Sequence, residues 1–258
     1  MLYCATRRSG AGDARMDVQI EKVSKKFGRA WALEEISLKL EPGQIVGILG
    51  ANGAGKTTLL NCLAGVAVPS SGQILFDGQR FHRGKMELRR RLMFLPDFPL
   101  AFARMNVLEH IAMCVRLYER PAPDPRNVAA LLEDLSLLPL TGMPFSAMSR
   151  GQVYKSALAG LVAVDPELWI FDEPLASGMD PMGIAVFKRE ARAATRRGRT
   201  VVFTTQILEI AEKLADRICV LDHGGLRLER RTGQAGMGEG EGKLEEMLLK
   251  LRDPEANS

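Results

Sequence analysis

Nine residues concentrate the features of an anion site. "GANGAGKTT", Gly50 to Thr58, fits the spacing G-x-x-x-x-G-K-[ST]. Its glycines let the backbone curl so that several N–H groups point at one anion. A helix that starts just after Gly55 adds its positive end to the same place. Lys56 supplies a point charge for the β- and γ-phosphates of a nucleotide, and the Thr57 hydroxyl is placed to hold Mg²⁺. Gly50, Asn52, Gly53, Ala54, Gly55, Lys56, Thr57 and Thr58 are therefore the candidate nucleotide-binding residues. A second motif, "LWIFDEP" from Leu168 to Pro174, delivers two carboxylates at the end of an apolar run. Asp172 is expected to bind Mg²⁺ directly or through water. Glu173 is expected to face the γ-phosphate and polarise the attacking water. A third edge, Thr204-Thr205-Gln206, closes the apolar run "VVFTT".

The flanking patterns predict how these residues are held. Ile45 to Leu49 is a continuous apolar run, as expected of a central strand covered on both faces. It is followed by a helix over about Gly55 to Ala64, with Gly65 as its stop. Alternation at Val18 and Ile20, then at Ile36, Leu38 and Leu40, predicts half-buried strands before it. Strands are predicted again at Leu168–Phe171, Thr200–Thr204 and Ile218–Leu221, each after a helical stretch. Strand-helix alternation implies a mainly parallel sheet. In open α/β sheets, ligands gather at the C-terminal ends of the strands, where both motifs fall. The middle of the chain reads as helical. Asn106 and Glu109 look like a cap-like start, with Val107, Leu108, Ile111 and Val115 on one face. Asp124-Pro125 opens a second helix whose stripe runs through Val128, Leu131, Leu132, Leu135 and Leu138 to a stop at Pro139.

The 258 residues, 46% apolar and 26% charged, suit a globular chain with a large core. A net charge of +4 is too slight to argue for nucleic acid. The basic runs Arg89-Arg90-Arg91 and Arg196-Arg197 read as solvated helix faces. The four cysteines, Cys4, Cys62, Cys114 and Cys219, form no C-x-x-C pair, which argues against zinc or redox motifs. The longest apolar run, Ala157 to Val164, is far short of the about 20 residues a membrane span needs. Residues 1–15 read as a loose tail, with Met16 a second candidate start. Residues 231–258 read as a Gly-rich linker followed by a short amphipathic helix.

From about Met16 to Arg230 the chain resembles the ATP-binding cassette (ABC) family, and specifically the ATPase subunits of ABC transporters. The resemblance rests on the order of five features: the phosphate loop, "MSRGQ" (Met148 to Gln152), "LWIFDEP", "SGMDP" (Ser177 to Pro181) and "TTQILEIAEKLADRI". "VPSSGQILFDG" (Val68 to Gly78) and the phrasing around "LYERPAPDP" look like the exporter branch. The resemblance implies an α/β P-loop NTPase with a mainly parallel core, an N-terminal antiparallel β part and an inserted α-helical subdomain over about 98–150. It implies ATP and Mg²⁺ as ligands, a homodimer or heterodimer of ATPase subunits with ATP sandwiched between them, and a transmembrane permease as partner. The chain would then lie at the cytoplasmic face of the membrane, and no nucleic acid is expected.

The family also assigns roles position by position. Ser149, Gly151 and Gln152 match the signature that meets the other subunit's nucleotide, Asp180 lies at the dimer interface, and Phe27 matches the aromatic that stacks on adenine, with Trp31 as its rival. Three positions depart from the pattern. Arg150 stands where glycine is usual. Asp97 replaces a glutamine offered to Mg²⁺. Gln206 replaces the histidine that holds the attacking water. Gln206 can donate an N–H to a phosphate oxygen but cannot take a proton or carry charge. Asp97 and Gln206 are therefore expected to slow hydrolysis. His82, His110 and His223 read as surface or turn residues. Two other readings stay open: a soluble ABC ATPase acting in DNA repair or translation, and a non-hydrolysing ATP-dependent regulator.

Overall fold

A computed structural model describes residues 15–99 and 101–232. The expected tail (apart from Arg15), the Gly-rich linker from residue 233 and the C-terminal helix lie outside the described residues. Two sheets organise the chain. The antiparallel one has the order β2-β1-β4-β5, formed by β1 (Val18–Phe27), β2 (Ala30–Leu40), β4 (Ser71–Phe76) and β5 (Gln79–Arg80). The larger one has the order β10-β9-β3-β8-β7-β6. It consists of β3 (Ile45–Leu49), β6 (Leu92–Leu95), β7 (Leu168–Phe171), β8 (Thr200–Thr205), β9 (Arg217–Asp222) and β10 (Gly225–Arg231). All its pairings are parallel except β10 with β9. The mainly parallel α/β sheet expected from the strand-helix alternation is present, and the second sheet is the antiparallel N-terminal part that the resemblance implies.

Period-two alternation sorts the central strands onto two cores. Ile45, Leu49, Trp169, Phe171, Val201, Phe203, Ile218 and Val220 face one cluster. Val46, Ile48, Leu168, Ile170, Val202, Cys219 and Leu221 face the other. The first core packs under α3 (Val107–Leu117), α4 (Pro125–Asp134), α5 (Arg150–Val164), α6 (Pro181–Arg196) and α7 (Leu208–Leu214). The second packs under α1 (Lys56–Leu63) and the antiparallel sheet, with α2 (Met86–Arg89) at its margin. Burying each large apolar side chain contributes about 1.5–3 kcal/mol, so the two-sided sheet is the rigid platform of the molecule. No helix among the described residues is long and apolar enough to cross a membrane.

Several local readings are corrected by tertiary context. The second helix of the middle region ends at Asp134, not at Pro139. Ser136 turns left-handed (φ 56°), and Leu137 N–H donates to Leu132 O at 2.7 Å. This closes a Schellman turn, with Leu132 and Leu137 both buried beneath it. Leu108 points outward, 48% exposed, while Val107, Ile111 and Val115 are buried. His110 is not a surface residue: it is buried on α3, edge-on to Phe145, and burial lowers its proton affinity. Both arginine runs contain an anchored member. Arg91 pairs with Glu167 and Asp77. Arg197 reaches the buried Asp165 at 3.0 Å. Burial pushes the Asp165 carboxyl up, but Arg197 and Arg199 outweigh it and hold it below the ordinary carboxylate range. Strand β6 was not anticipated at all, and β10 runs through Arg231.

Candidate active site at the C-terminal edge of the parallel sheet

Strand β3 ends at Leu49, and the phosphate loop turns directly into α1. Backbone space dictates two of its glycines. A Cβ on Gly50 would lie 2.4 Å from the Leu221 carbonyl. One on Gly55 would lie 2.5 Å from the Ala32 carbonyl, and Gly55 is left-handed (φ 101°). Helix α1 has no side-chain cap and no acidic residue in its first turn. Its orphan N–H groups therefore have no side chain competing with an anion. Lys56 is 6% exposed. Its ammonium donates to Gly50 O (2.9 Å) and Ala51 O (3.1 Å), and lies 3.3 Å from Glu173 Oε1.

Strand β7 carries the carboxylates into the same place. The buried Asp172 accepts from Thr57 Oγ1 at 2.7 Å and from Thr204 Oγ1 at 2.6 Å. Thr204 Oγ1 in turn accepts the Glu173 N–H at 2.8 Å. Thr204 thus locks the two acidic residues from the neighbouring strand, a role the sequence reading did not assign. Its signal was the polar end of the apolar run "VVFTT". Glu173 has a left-handed backbone (φ 46°), which costs a non-glycine residue about 1–3 kcal/mol and gathers at functional sites. Burial raises the Glu173 carboxyl above its ordinary range; Lys56 opposes this, while Asp172 and Asp97 add to it. Thr57 and Asp172 offer hard oxygens in mutual contact. The donor set fits Mg²⁺, which takes one or two protein ligands and completes its octahedron with phosphates and water.

The remaining candidates fall around this centre. Asn52 and Gly53 are exposed on the loop, Ala54 is buried beneath it, and Thr58 is half-buried on α1. Gln206 is exposed just beyond β8, one residue past Thr205, whose hydroxyl accepts the Ile207 N–H. Asp97 is not hydrogen-bonded into the Thr57–Asp172 pair; its carboxylate is engaged by the Arg150 guanidinium. Phe27 and Trp31 are both half-exposed, with Lys25 and Lys26 ammonium groups 5.0 Å above their respective rings. Neither aromatic belongs to the core.

A second group sits where α5 and α6 begin. Ser149 caps α5: its hydroxyl accepts from Gln152 N at 3.3 Å, and Gln152 Oε1 accepts from Ser149 N at 2.8 Å. Asp180 caps α6 through Gly183 N (2.8 Å) and pairs with Lys155 Nζ (2.9 Å). The Gly183 N–H and then Lys155 hold the Asp180 carboxyl below its usual range. Gly151 is packed so closely that a Cβ would lie 2.2 Å from Gly178 O.

A family model described as ABC transporter matches residues 33–176, spanning the phosphate loop, the α5 start and the paired carboxylates. The chain belongs to this family, as an ATPase subunit. Among curated relatives, this ABC ATPase is 33% identical over 208 residues to "Nod factor export ATP-binding protein I" of Paraburkholderia xenovorans (strain LB400), covering 80% of this chain and 68% of that protein. It is 35% identical over 215 residues to "Sulfate/thiosulfate import ATP-binding protein CysA" of Caulobacter vibrioides (strain ATCC 19089 / CIP 103742 / CB 15), covering 81% of this chain and 63% of that protein. The chain therefore spans about two thirds of the length of these relatives. One is named for export and one for import, so the likeness itself sets no direction. A solved ATP-binding cassette, described as a dimer in a post-hydrolysis state bound to ADP and Pi, shares the fold. Its TM-score is 0.72 at 23% identity, with 83% of this chain and 98% of that chain covered.

Proposed function

We propose that this chain hydrolyses ATP to power a membrane ABC transporter, with export as the direction. It would dock on a transmembrane permease carried by another chain, at the cytoplasmic face, and work as a dimer of ATPase subunits. The observation that carries the reading is the juxtaposition of Lys56, Thr57, Asp172 and Glu173 at one sheet edge. Export rests on the resemblance of "VPSSGQILFDG" to exporter ATPases.

The residues divide the work. The phosphate loop and Lys56 hold the β- and γ-phosphates. Thr57 and Asp172 would hold Mg²⁺, which when bound offsets phosphate charge. Glu173 orients the attacking water and takes its proton, and it must be ionised to do so. Because the free protein's Glu173 carboxyl is raised, kcat/KM, which reports the free enzyme's groups, falls on the acid side at a pH above the ordinary carboxylate range. The stability effect has the opposite sign: the raised group favours the fold at low pH, and that contribution is lost as pH rises through the folded pKa. Gln206 contributes an uncharged N–H, which slows the chemical step.

The test is phosphate release from the subunit assembled with its permease. Glu173→Gln should lower turnover by about 10²–10⁴-fold, the usual worth of a positioned base, and leave ATP binding intact. Turnover within tenfold of wild type would remove Glu173 from this role. Gln206→His should raise turnover, by less than the about 10²–10³-fold attached to one transition-state contact. An unchanged or lower rate would show that glutamine is adapted to the site. Absence of any phosphate release from wild type would favour the non-hydrolysing regulator, the reading that Asp97 and Gln206 motivate. Substrate movement in proteoliposomes decides export against import.

A further inference from the structure

Two of the departures from the family pattern touch each other. Asp97 lies in the loop after β6, and Arg150 is the first residue of α5, 53 positions away. The guanidinium pairs with the Asp97 carboxylate and also reaches the Asp97 backbone carbonyl at 3.4 Å. Both side chains are nearly half exposed, so the pair is not a buried structural lock. Asp97 stands at the same sheet edge as the other two carboxylates: it lies two residues beyond Leu95, whose carbonyl accepts the Asp172 N–H at 2.9 Å, and its charge adds to the upward push on the Glu173 carboxyl. Three carboxylates, those of Asp97, Asp172 and Glu173, thus share this sheet edge with the Lys56 ammonium. Arg150 is the cation that offsets the third carboxylate.

We propose that Arg150 is a positioning residue that neutralises Asp97, so that the aspartate at this edge does not repel the phosphates of the incoming nucleotide. This rests on the ATP-binding reading of the site. The two substitutions act as a compensating pair: the carboxylate is tolerated because the arginine is present. Arg150 needs no contact with the nucleotide for this. Its effect passes through Asp97, is electrostatic, and weakens as salt screens it, with a Debye length of about 10 Å at 0.1 M.

The experiment measures ATP affinity of the full chain by calorimetry, in EDTA and in excess Mg²⁺, at low and high salt. EDTA removes any part Asp97 plays as a metal ligand. Arg150→Gln keeps the side-chain length and removes the charge. At low salt it should weaken ATP binding in EDTA about two- to fivefold, the scale of a half-exposed pair. Arg150→Lys should stay near wild type. The double variant Asp97→Asn, Arg150→Gln should recover wild-type affinity, and the single-variant deficit should shrink at high salt. Unchanged affinity in Arg150→Gln overturns the proposal. So does a deficit that persists in the double variant or is insensitive to salt, because either means that Arg150 does not act through Asp97. Melting temperatures of the variants separate a loss of fold from a loss of affinity. If wild type itself fails to bind ATP, or Lys56→Ala binds as well as wild type, the ATP-binding reading fails instead.

Discussion

Helices α1 and α5 both present a positive N-terminus, but their first turns are finished differently. The first turn of α1 begins at a left-handed glycine and has neither a side-chain cap nor an acidic residue. The first turn of α5 is closed by its own capping box between Ser149 and Gln152. The same backbone dipole is thus left uncapped at one end and partly capped at the other. An open turn offers amide N–H groups to an anion at no further cost. A capped turn has less to give: the box occupies the Gln152 and Ser149 N–H groups, which leaves the Arg150 and Gly151 amides and the Ser149 hydroxyl hydrogen. It follows that the α1 end binds nucleotide within one chain, whereas the α5 end can add only a weaker contact to a nucleotide brought against it.

This contrast can be broken by substitutions of graded effect. The largest belongs to Lys56→Ala, which removes the cation of the open end and leaves Glu173 without its partner. ATP affinity should fall about 100-fold, the worth of one or two charge-assisted hydrogen bonds, as read by calorimetry. Next comes Gly55→Ala. The added Cβ meets a backbone carbonyl at 2.5 Å in a left-handed conformation. Chemical denaturation should show a loss of about 1–3 kcal/mol, accompanied by weaker ATP binding. Gly53→Ala is its control, since that Cβ meets nothing within 4 Å and only the positive φ remains. Ser149→Ala should be smallest, costing about 1 kcal/mol of stability as a lost cap while ATP affinity of the isolated chain stays within about twofold. If Ser149→Ala weakened binding as much as Lys56→Ala, the two helix ends would be equivalent and the contrast would fall.

The parts of the molecule legible in the sequence are those encoded locally. The buried run Ile45–Leu49 and the Asn106/Glu109 cap each need only neighbours in the chain, and both took their expected form; the glycines before Lys56 are readable from their spacing, although the distant Leu221 and Ala32 carbonyls are what require two of them. The end of α4 was misplaced because the apolar stripe continues to Leu138 while the backbone reverses at Ser136. Periodicity reports which side chains seek the core, not where the helix stops. Strand β6 was missed because four apolar residues between an arginine and a proline carry little period of either kind. The site divides in the same way. Lys56, Thr57, Asp172 and Glu173 were readable as motifs. The Thr204 hydroxyl between Asp172 and Glu173 and the Arg150–Asp97 pair join residues 31 to 53 positions apart. No local pattern announces such a pairing, and Asp97 and Arg150, each an oddity alone, make sense only together.

The contact between Gly151 and Gly178 has a mechanical consequence. The helix start that carries Ser149 and the turn before Asp180 meet backbone to backbone, without clearance even for a methyl group at Gly151. Lys155 clamps the same junction through Asp180. Two segments in such contact behave like meshed teeth. A force applied to either is transmitted with almost no backlash. Whatever presses on the turn from Ser177 to Asp180 would therefore displace the α5 start by a similar amount, without any side chain having to change its rotamer.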